Sequence, residues 1–267
     1  MLTPSRSLAL HAGSGTELPK VPGLNALYGA GVKPRHGEVI MIAGRGGTQK
    51  SGLALWYVSQ MNLPTVYFSA DMSPMQASIR LVCSTMGQTT LEVERGIADG
   101  FTDVYQSYLK DSQITFSFGM PLRFEAVDRE MDAYVELHDR FPEVVVFDNL
   151  MDFDGADSEY SAQMEVMSSA SGFARDTGAS VIVLHHASDK TWSARDDPWA
   201  PPNRAEIKNG LVEKAELALT VALDAHTLDY RIACVKQRMG PSDPTARSFV
   251  TLTADPARTQ FRQKLRM

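Results

Sequence analysis

Cysteine is scarce: Cys83 and Cys234 are the only two in 267 residues, far apart and without metal-ligand spacing. This excludes a disulfide framework and a zinc site, fits a reducing cytoplasm, and reads each thiol as a small buried hydrophobe. Long hydrophobic runs are missing too. No stretch approaches the roughly 20 apolar residues that a bilayer crossing needs, so no membrane association is expected. The first 15 residues hold one arginine and a very short apolar run, too little for a signal peptide. Positive charge is in deficit, with 26 Lys and Arg against 32 Asp and Glu, a formal net charge of −6. A protein that coats duplex DNA with its whole surface is usually basic. Any nucleic acid would therefore be met by local loops or by a channel built from several subunits. There is no internal repeat, and one low-complexity stretch, Thr191–Asn203, whose three prolines mark a loop.

What is present is regular alternation. Residues 1–20 are rich in Ser, Thr and Gly and are expected to form a flexible tail or an arm that packs on a neighbour. From Val21 to the end, one domain is expected. Short β-rich runs fall at Val39–Ala43, Thr65–Ser69, Ile114–Phe118, Val144–Phe147, Ser180–Leu184, Ala218–Leu223, Arg231–Val235 and Ser248–Thr253. The first five are mostly continuous apolar or β-branched segments, as suits strands buried on both faces. Helix-length stretches separate them: Lys50–Met61, Ser73–Met86, Arg123–Arg140 and Ser161–Thr177. This pattern predicts an α/β fold with a doubly wound, mostly parallel sheet. The last three runs are closely spaced and predict antiparallel strands at the C-terminal edge.

The strongest local signal runs from Gly37 to Ser51, where a strand enters a glycine-rich turn and a helix follows. That context is what a phosphate-binding loop requires. Gly44, Gly46, Gly47, Thr48 and Gln49 would aim main-chain amides at the phosphates of ATP. Lys50 would reach the β- and γ-phosphates, and the Ser51 hydroxyl would ligate Mg2+. Gln49 stands where the pattern G-x-x-x-x-G-K-[ST] has its second glycine. A side chain there hinders the backbone conformation and the close approach that glycine allows.

Two further strands end in acids. Val144 to Asp148 closes with the carboxylate expected to steady the magnesium shell. Val66 to Asp71 places a second carboxylate at the same sheet edge, where open α/β folds bind ligands, positioned to take a proton from the attacking water. Ser73 followed by Pro74 reads as a helix cap with proline at the first helical position.

These segments resemble, in order, the RecA-like core of the DnaB-type replicative helicases and their phage relatives, over roughly residues 21–262. Gly23 to Leu27 and the phosphate loop resemble the start of that core. Ser69-Ala70-Asp71-Met72-Ser73 resembles the family's S-L-E-M-S motif, whose Glu is the catalytic base; Asp71 is one methylene shorter. Val183-Leu184-His185-His186 falls where the family has a polar γ-phosphate sensor, which the resemblance assigns to His185. Lys236-Gln237-Arg238-Met239-Gly240-Pro241 resembles the K-x-R-N-G-P motif. The resemblance implies that Lys236 and Arg238 enter a neighbour's ATP site, in a homo-oligomer of ring form, most simply a hexamer. Two apart on a strand, the pair points to one side.

In this family two loops face the ring centre. The one after Asp148, Asp152 to Glu159, is acidic and unsuited to phosphates. The one after His186 offers Lys190, Arg195, Arg204, Lys208 and Lys214 together with Trp192 and Trp199, a mixture suited to single-stranded or branched DNA. The resulting expectation is an ATP-dependent DNA-translocating motor of the host cytoplasm. A recombination or DNA-loading ATPase of the same fold is the near alternative. A metal-dependent nuclease is the distant one, with a second ion held among Asp148, Asp152, Asp154, Asp157 and Glu159.

Overall fold

The computed structural model describes residues 15–119, 122–157, 159–188 and 197–264. Within them a single sheet runs in the order β3-β2-β4-β5-β1-β6-β7-β8-β9. Its strands are β1 (Val39–Gly44), β2 (Thr65–Ser69), β3 (Ile114–Ser117), β4 (Val144–Asp148), β5 (Ser180–His186), β6 (Leu217–Leu223), β7 (Asp229–Gln237), β8 (Val250–Asp255) and β9 (Gln260–Gln263). The helices are α1 (Asn25–Gly29), α2 (Lys50–Met61), α3 (Pro74–Met86), α4 (Thr90–Ala98), α5 (Thr102–Leu109), α6 (Phe124–His138) and α7 (Tyr160–Thr177).

Continuous apolar strands are explained by two cores, one on each face. Along β1, Ile40 and Ile42 join one cluster, whereas Val39, Met41 and Ala43 join the other. β4 and β5 divide the same way: Val144, Val146, Ile182 and Leu184 face one cluster, and Val145, Phe147, Val181 and Val183 the other. A strand with both faces buried has no solvent side, so it shows no polar alternation.

At the C-terminal edge β6, β7 and β8 pair antiparallel with one another, as expected. β6 pairs parallel with β1, Ile40 opposite Leu217, and the direction reverses only at β7. The long connection 187–216 supplies the crossover that a parallel neighbour requires, and a tight turn then makes β7 antiparallel. β8 and β9 continue antiparallel. β9 is not legible in the sequence because only Phe261 of its four residues is buried.

Two helices between β2 and β3 are likewise unanticipated. α4 begins with a full capping box, in which the Thr89 side chain accepts from the Glu92 amide and Glu92 accepts from the Thr89 amide. The pattern T-x-x-E at Thr89–Glu92 is the signal that marks it. Gly96 of α4 lies so close to the Tyr105 ring of α5 that a Cβ would collide with it. Of the expected tail, residues 15–20 are described: Leu18 is 3% exposed and part of the core, and Glu17 forms a bridge with Arg35. Residues 1–14 lie outside the described residues. Among the described residues no helix is long and apolar enough to cross a membrane.

Candidate nucleotide site

The parallel strands β1, β2, β4 and β5 deliver their C-terminal ends to one edge, where Lys50, Ser51, Asp71, Asp148 and His185 sit. β1 ends at Gly44, where a Cβ would press on the Thr48 hydroxyl and the Val221 carbonyl, so the close packing of loop and β6 requires glycine. Gly47 turns the chain with φ +73°, and a Cβ at Gly46 or Gly47 would meet nothing within 4 Å, leaving an open turn. Thr48 Oγ1 donates to the Arg45 carbonyl at 2.8 Å. Lys50 Nζ, in a residue only 9% exposed, donates to the carbonyls of Gly44 at 3.0 Å and Arg45 at 2.9 Å. Gln49 occupies the left-handed region, φ 57° and ψ 34°, at the N-cap of α2, with no side-chain cap. The backbone thus takes the conformation that glycine would supply, at a cost of about 1–2 kcal/mol for a residue bearing a Cβ. The uncapped first-turn amides of α2 form the positive end of the helix dipole.

Asp148 closes the site from β4. Ser51 Oγ donates to its Oδ1 at 2.9 Å, and the Tyr67 hydroxyl on β2 donates to its Oδ2 at 2.8 Å. Burial raises the Asp148 carboxyl above its usual range, opposed by these two donors, and the nearby charges of Asp71 and Asp152 push it further up. A cation replacing some of this hydroxyl support would favour the ionised form. Asp71 follows β2 and is exposed; Asn149 Nδ2 reaches its Oδ2 at 3.5 Å. Lys50, Ser51, Asp71 and Asp148 are thus gathered at one end of the sheet.

His185 on β5 lies opposite Ala43 of β1 and is fully buried. Its Nε2 donates to the Lys208 carbonyl at 3.3 Å, while Nδ1 has no hydrogen-bond partner. Burial drives its pKa down to about 4, so the ring is neutral at pH 7. It connects the nucleotide edge to the segment that carries the expected DNA contacts.

Lys236 and Arg238 lie elsewhere. β7 runs back against β6, Gln237 is paired with Leu217, and the Arg238 amide donates to the Glu216 carbonyl. Both cations therefore sit at the start of β6, whereas the phosphate loop sits at its end. β6 has seven residues, so the separation is about 20 Å. Both point to one side, as expected: Lys236 Nζ donates to the carbonyls of Val212 at 2.9 Å and Glu213 at 2.7 Å, and Arg238 pairs with Glu216 at 3.5 Å. Arg238 is the accessible member, its side chain 58% exposed against 13% for Lys236.

Among the expected DNA contacts, Lys190, Arg195 and Trp192 lie outside the described residues. Arg204, Lys208 and Lys214 lie on the 3-10 turns Arg204–Glu206 and Lys208–Lys214. Lys208 is exposed, and Arg204 pairs with Glu213. In the acidic loop, Phe153 and Ala156 are buried, Asp152 accepts from the Asn149 amide, and Asp154 pairs with Arg123. Among the described residues no three His, Cys, Asp or Glu side chains converge as a metal site, so the nuclease alternative finds no support there.

Sequence reasoning missed Tyr67 and the pair Arg45–Glu206. Tyr67 is one of three hydroxyl-bearing residues of β2, with Thr65 and Ser69, a weak signal. Arg45 occupies a free position of the loop pattern, and its Nη2 meets Glu206 Oε1 at 3.1 Å with both side chains 8% exposed. The donor set at the edge suits a triphosphate with a hard divalent ion: uncapped amides, an open glycine turn, an ammonium group, and a hydroxyl paired with a carboxylate.

A family model for the AAA domain matches residues 24–191. The Gene 65 protein of Mycobacterium phage L5 is 28% identical over 260 residues, covering 94% of this chain and 95% of the relative. The Gene 65 protein of Mycobacterium phage D29 is 26% identical over 223 residues, covering 80% of this chain and 94% of the relative. Among solved structures, a DnaB-like replicative helicase matches with a TM-score of 0.79 at 16% identity; 98% of this chain is covered, and the chain spans 65% of that helicase's length. A second solved structure, an ATPase domain, matches with a TM-score of 0.75 at 16% identity, covering 98% of this chain and 96% of that one. The sheet and its flanking helices are RecA-like, as the motifs implied.

Proposed function

The chain belongs to the AAA domain family, and from that premise we propose that it is an ATP-driven motor that moves along DNA and hydrolyses ATP at interfaces between its own copies. One observation carries the reading: the phosphate loop and Arg238 occupy opposite ends of β6. An exposed guanidinium about 20 Å from its own phosphate loop cannot serve that loop, but it can serve a neighbour's. Such a group stabilises the charge that develops on a transferring phosphoryl group.

In this reading Gly44, Gly46, Gly47, Thr48 and Gln49 cradle the phosphates, and Lys50 turns from two carbonyls toward them. Ser51 and Asp148 hold Mg2+, which offsets the phosphate charge when bound. Asp71 takes the proton from the attacking water. His185 reads the phosphate state, and Lys236 and Arg238 complete the adjacent site. Single-stranded or branched DNA passes along Arg204 and Lys208, with Lys190 and Arg195 of the same connection as further candidate contacts by sequence, in a ring whose symmetry we take as sixfold. Gln49 in the left-handed region and the short Asp71 side chain favour slow turnover, the second reading being a regulatory ATPase of the same fold. The full activity of the DnaB-like helicase and its dealings with primase belong to that longer protein.

The test is ATP hydrolysis by the purified protein with and without single-stranded DNA, from 50 to 200 mM salt. Stimulation that fades with rising salt is expected, because phosphate contacts release counterions. Hydrolysis indifferent to DNA at every salt would leave only the regulatory reading.

A further inference from the structure

We propose that the buried Arg45–Glu206 ion pair is a positioning device that couples the phosphate loop to the DNA-facing segment, separately from His185. The inference rests on the motor reading above. Arg45 belongs to the loop itself, and its carbonyl accepts from both Lys50 Nζ and Thr48 Oγ1. Its guanidinium leaves the loop in the other direction, giving Nη2 to Glu206 at 3.1 Å and Nη1 to the Ala200 carbonyl at 3.4 Å. Any nucleotide that draws Lys50 onto a phosphate removes one of the bonds that hold the Arg45 backbone.

Glu206 is equally committed on the far side. Its Oε2 accepts from the Asn203 amide at 2.7 Å, closing the capping box of the turn Arg204–Glu206, and its carbonyl accepts from the Ser188 amide at 2.8 Å. The same turn carries Arg204, and Lys208 follows two residues after Glu206. The next turn supplies the Val212 and Glu213 carbonyls that hold Lys236. One short segment is therefore gripped by the phosphate loop through Arg45, by the sensor strand through His185, and by the finger strand through Lys236. With both side chains 8% exposed, water screens the pair little, so a shift of the loop is passed on rather than absorbed by solvent. Both partners bias one element, which is what energetic coupling between two sites requires.

The experiment uses the full chain and labelled oligo-dT, with binding read by anisotropy in Mg2+ with and without a non-hydrolysable ATP analogue. For the wild type, the analogue should change DNA affinity about tenfold, within the usual range of such coupling. Glu206→Gln keeps the shape and the amide contacts but removes the charge. It should reduce that factor to twofold or less, while affinity for the analogue alone stays within threefold. Glu206→Gln with wild-type coupling overturns the inference and leaves the motor reading standing. A wild type with no coupling overturns both. Hydrogen exchange on the wild type covers the case of a variant that does not fold. The analogue alone, without DNA, should change exchange severalfold across residues 203–208, and unchanged exchange there overturns the inference.

Discussion

Replacing Gln49 by glycine tests the most unusual feature of the loop. Gln49 sits at φ 57° and ψ 34°, where a Cβ costs about 1–2 kcal/mol. Glycine removes that cost but adds freedom to the unfolded chain, which offsets about 0.5–1 kcal/mol. The expected net effect is a gain of about 0.5–1 kcal/mol, since glycine is also an acceptable N-cap. For a chain of this size that raises Tm by about 1–2 °C. A functional effect accompanies it. The Gln49 side chain lies over the first turn of α2, its Oε1 3.1 Å from where a Cβ on Gly52 would stand. Removing it opens the amides that in the proposed reading would face the phosphates, so affinity for a fluorescent ATP analogue should rise severalfold. Gln49→Ala is the control, because it truncates the side chain but keeps the Cβ and hence the strain. Thermal melting and analogue titration of the three proteins decide the matter. If Gln49→Gly melts below the wild type, or Gln49→Ala gains as much as Gln49→Gly, the strain argument is wrong.

Lys50→Ala should stay folded, because the Arg45 carbonyl keeps its Thr48 donor, yet lose ATP hydrolysis by at least ~100-fold; turnover near the wild-type rate would remove the phosphate loop from the mechanism. Arg238→Ala should bind ATP normally but fail to turn over, and mixing it with Lys50→Ala subunits should restore part of the activity, since each supplies what the other lacks; absence of rescue argues against catalysis between copies. His185 is fully buried with a pKa of about 4 against 6.5 unfolded, so its contribution is complete above pH 6.5 and is lost as pH falls toward 4, by ~3 kcal/mol in all. Asp148, whose carboxyl is raised by burial, acts in the opposite sense as pH falls. Denaturant melts of wild type and His185→Gln at matched pH therefore isolate the histidine, and the variant should show the shallower decline between pH 6.5 and 4; parallel curves would contradict the burial argument.

Much of the framework was legible because it is written in local pattern. β2 and α2 fall where the apolar runs and the loop signal placed them, and Ser73 caps α3 with Pro74 behind it. Apolar runs without alternation announced a sheet covered on both faces, and an acid at the end of β4 announced the partner of Ser51. The helices α4 and α5 were obscured because their exposed faces carry Leu91, Val104 and Tyr108, which blurs the apolar stripe. The antiparallel pairing of β6, β7 and β8 was legible in their short spacing, whereas the parallel pairing of β6 with β1 was not, because it depends on the length of the crossover and not on the strand's own residues.

By itself the amino-acid order determined the phosphate loop, the carboxylates at the strand ends and the doubly wound class, since each depends on neighbours a few positions apart. Only the tertiary structure decided which distant groups meet. Arg45 and Glu206 are 161 positions apart and Tyr67 and Asp148 are 81 apart, and no periodicity encodes such pairs. It also decided that Arg238 stands at the end of β6 away from its own phosphate loop, because strand order and direction follow from burying both faces of one sheet, a property of the whole chain and of no single segment.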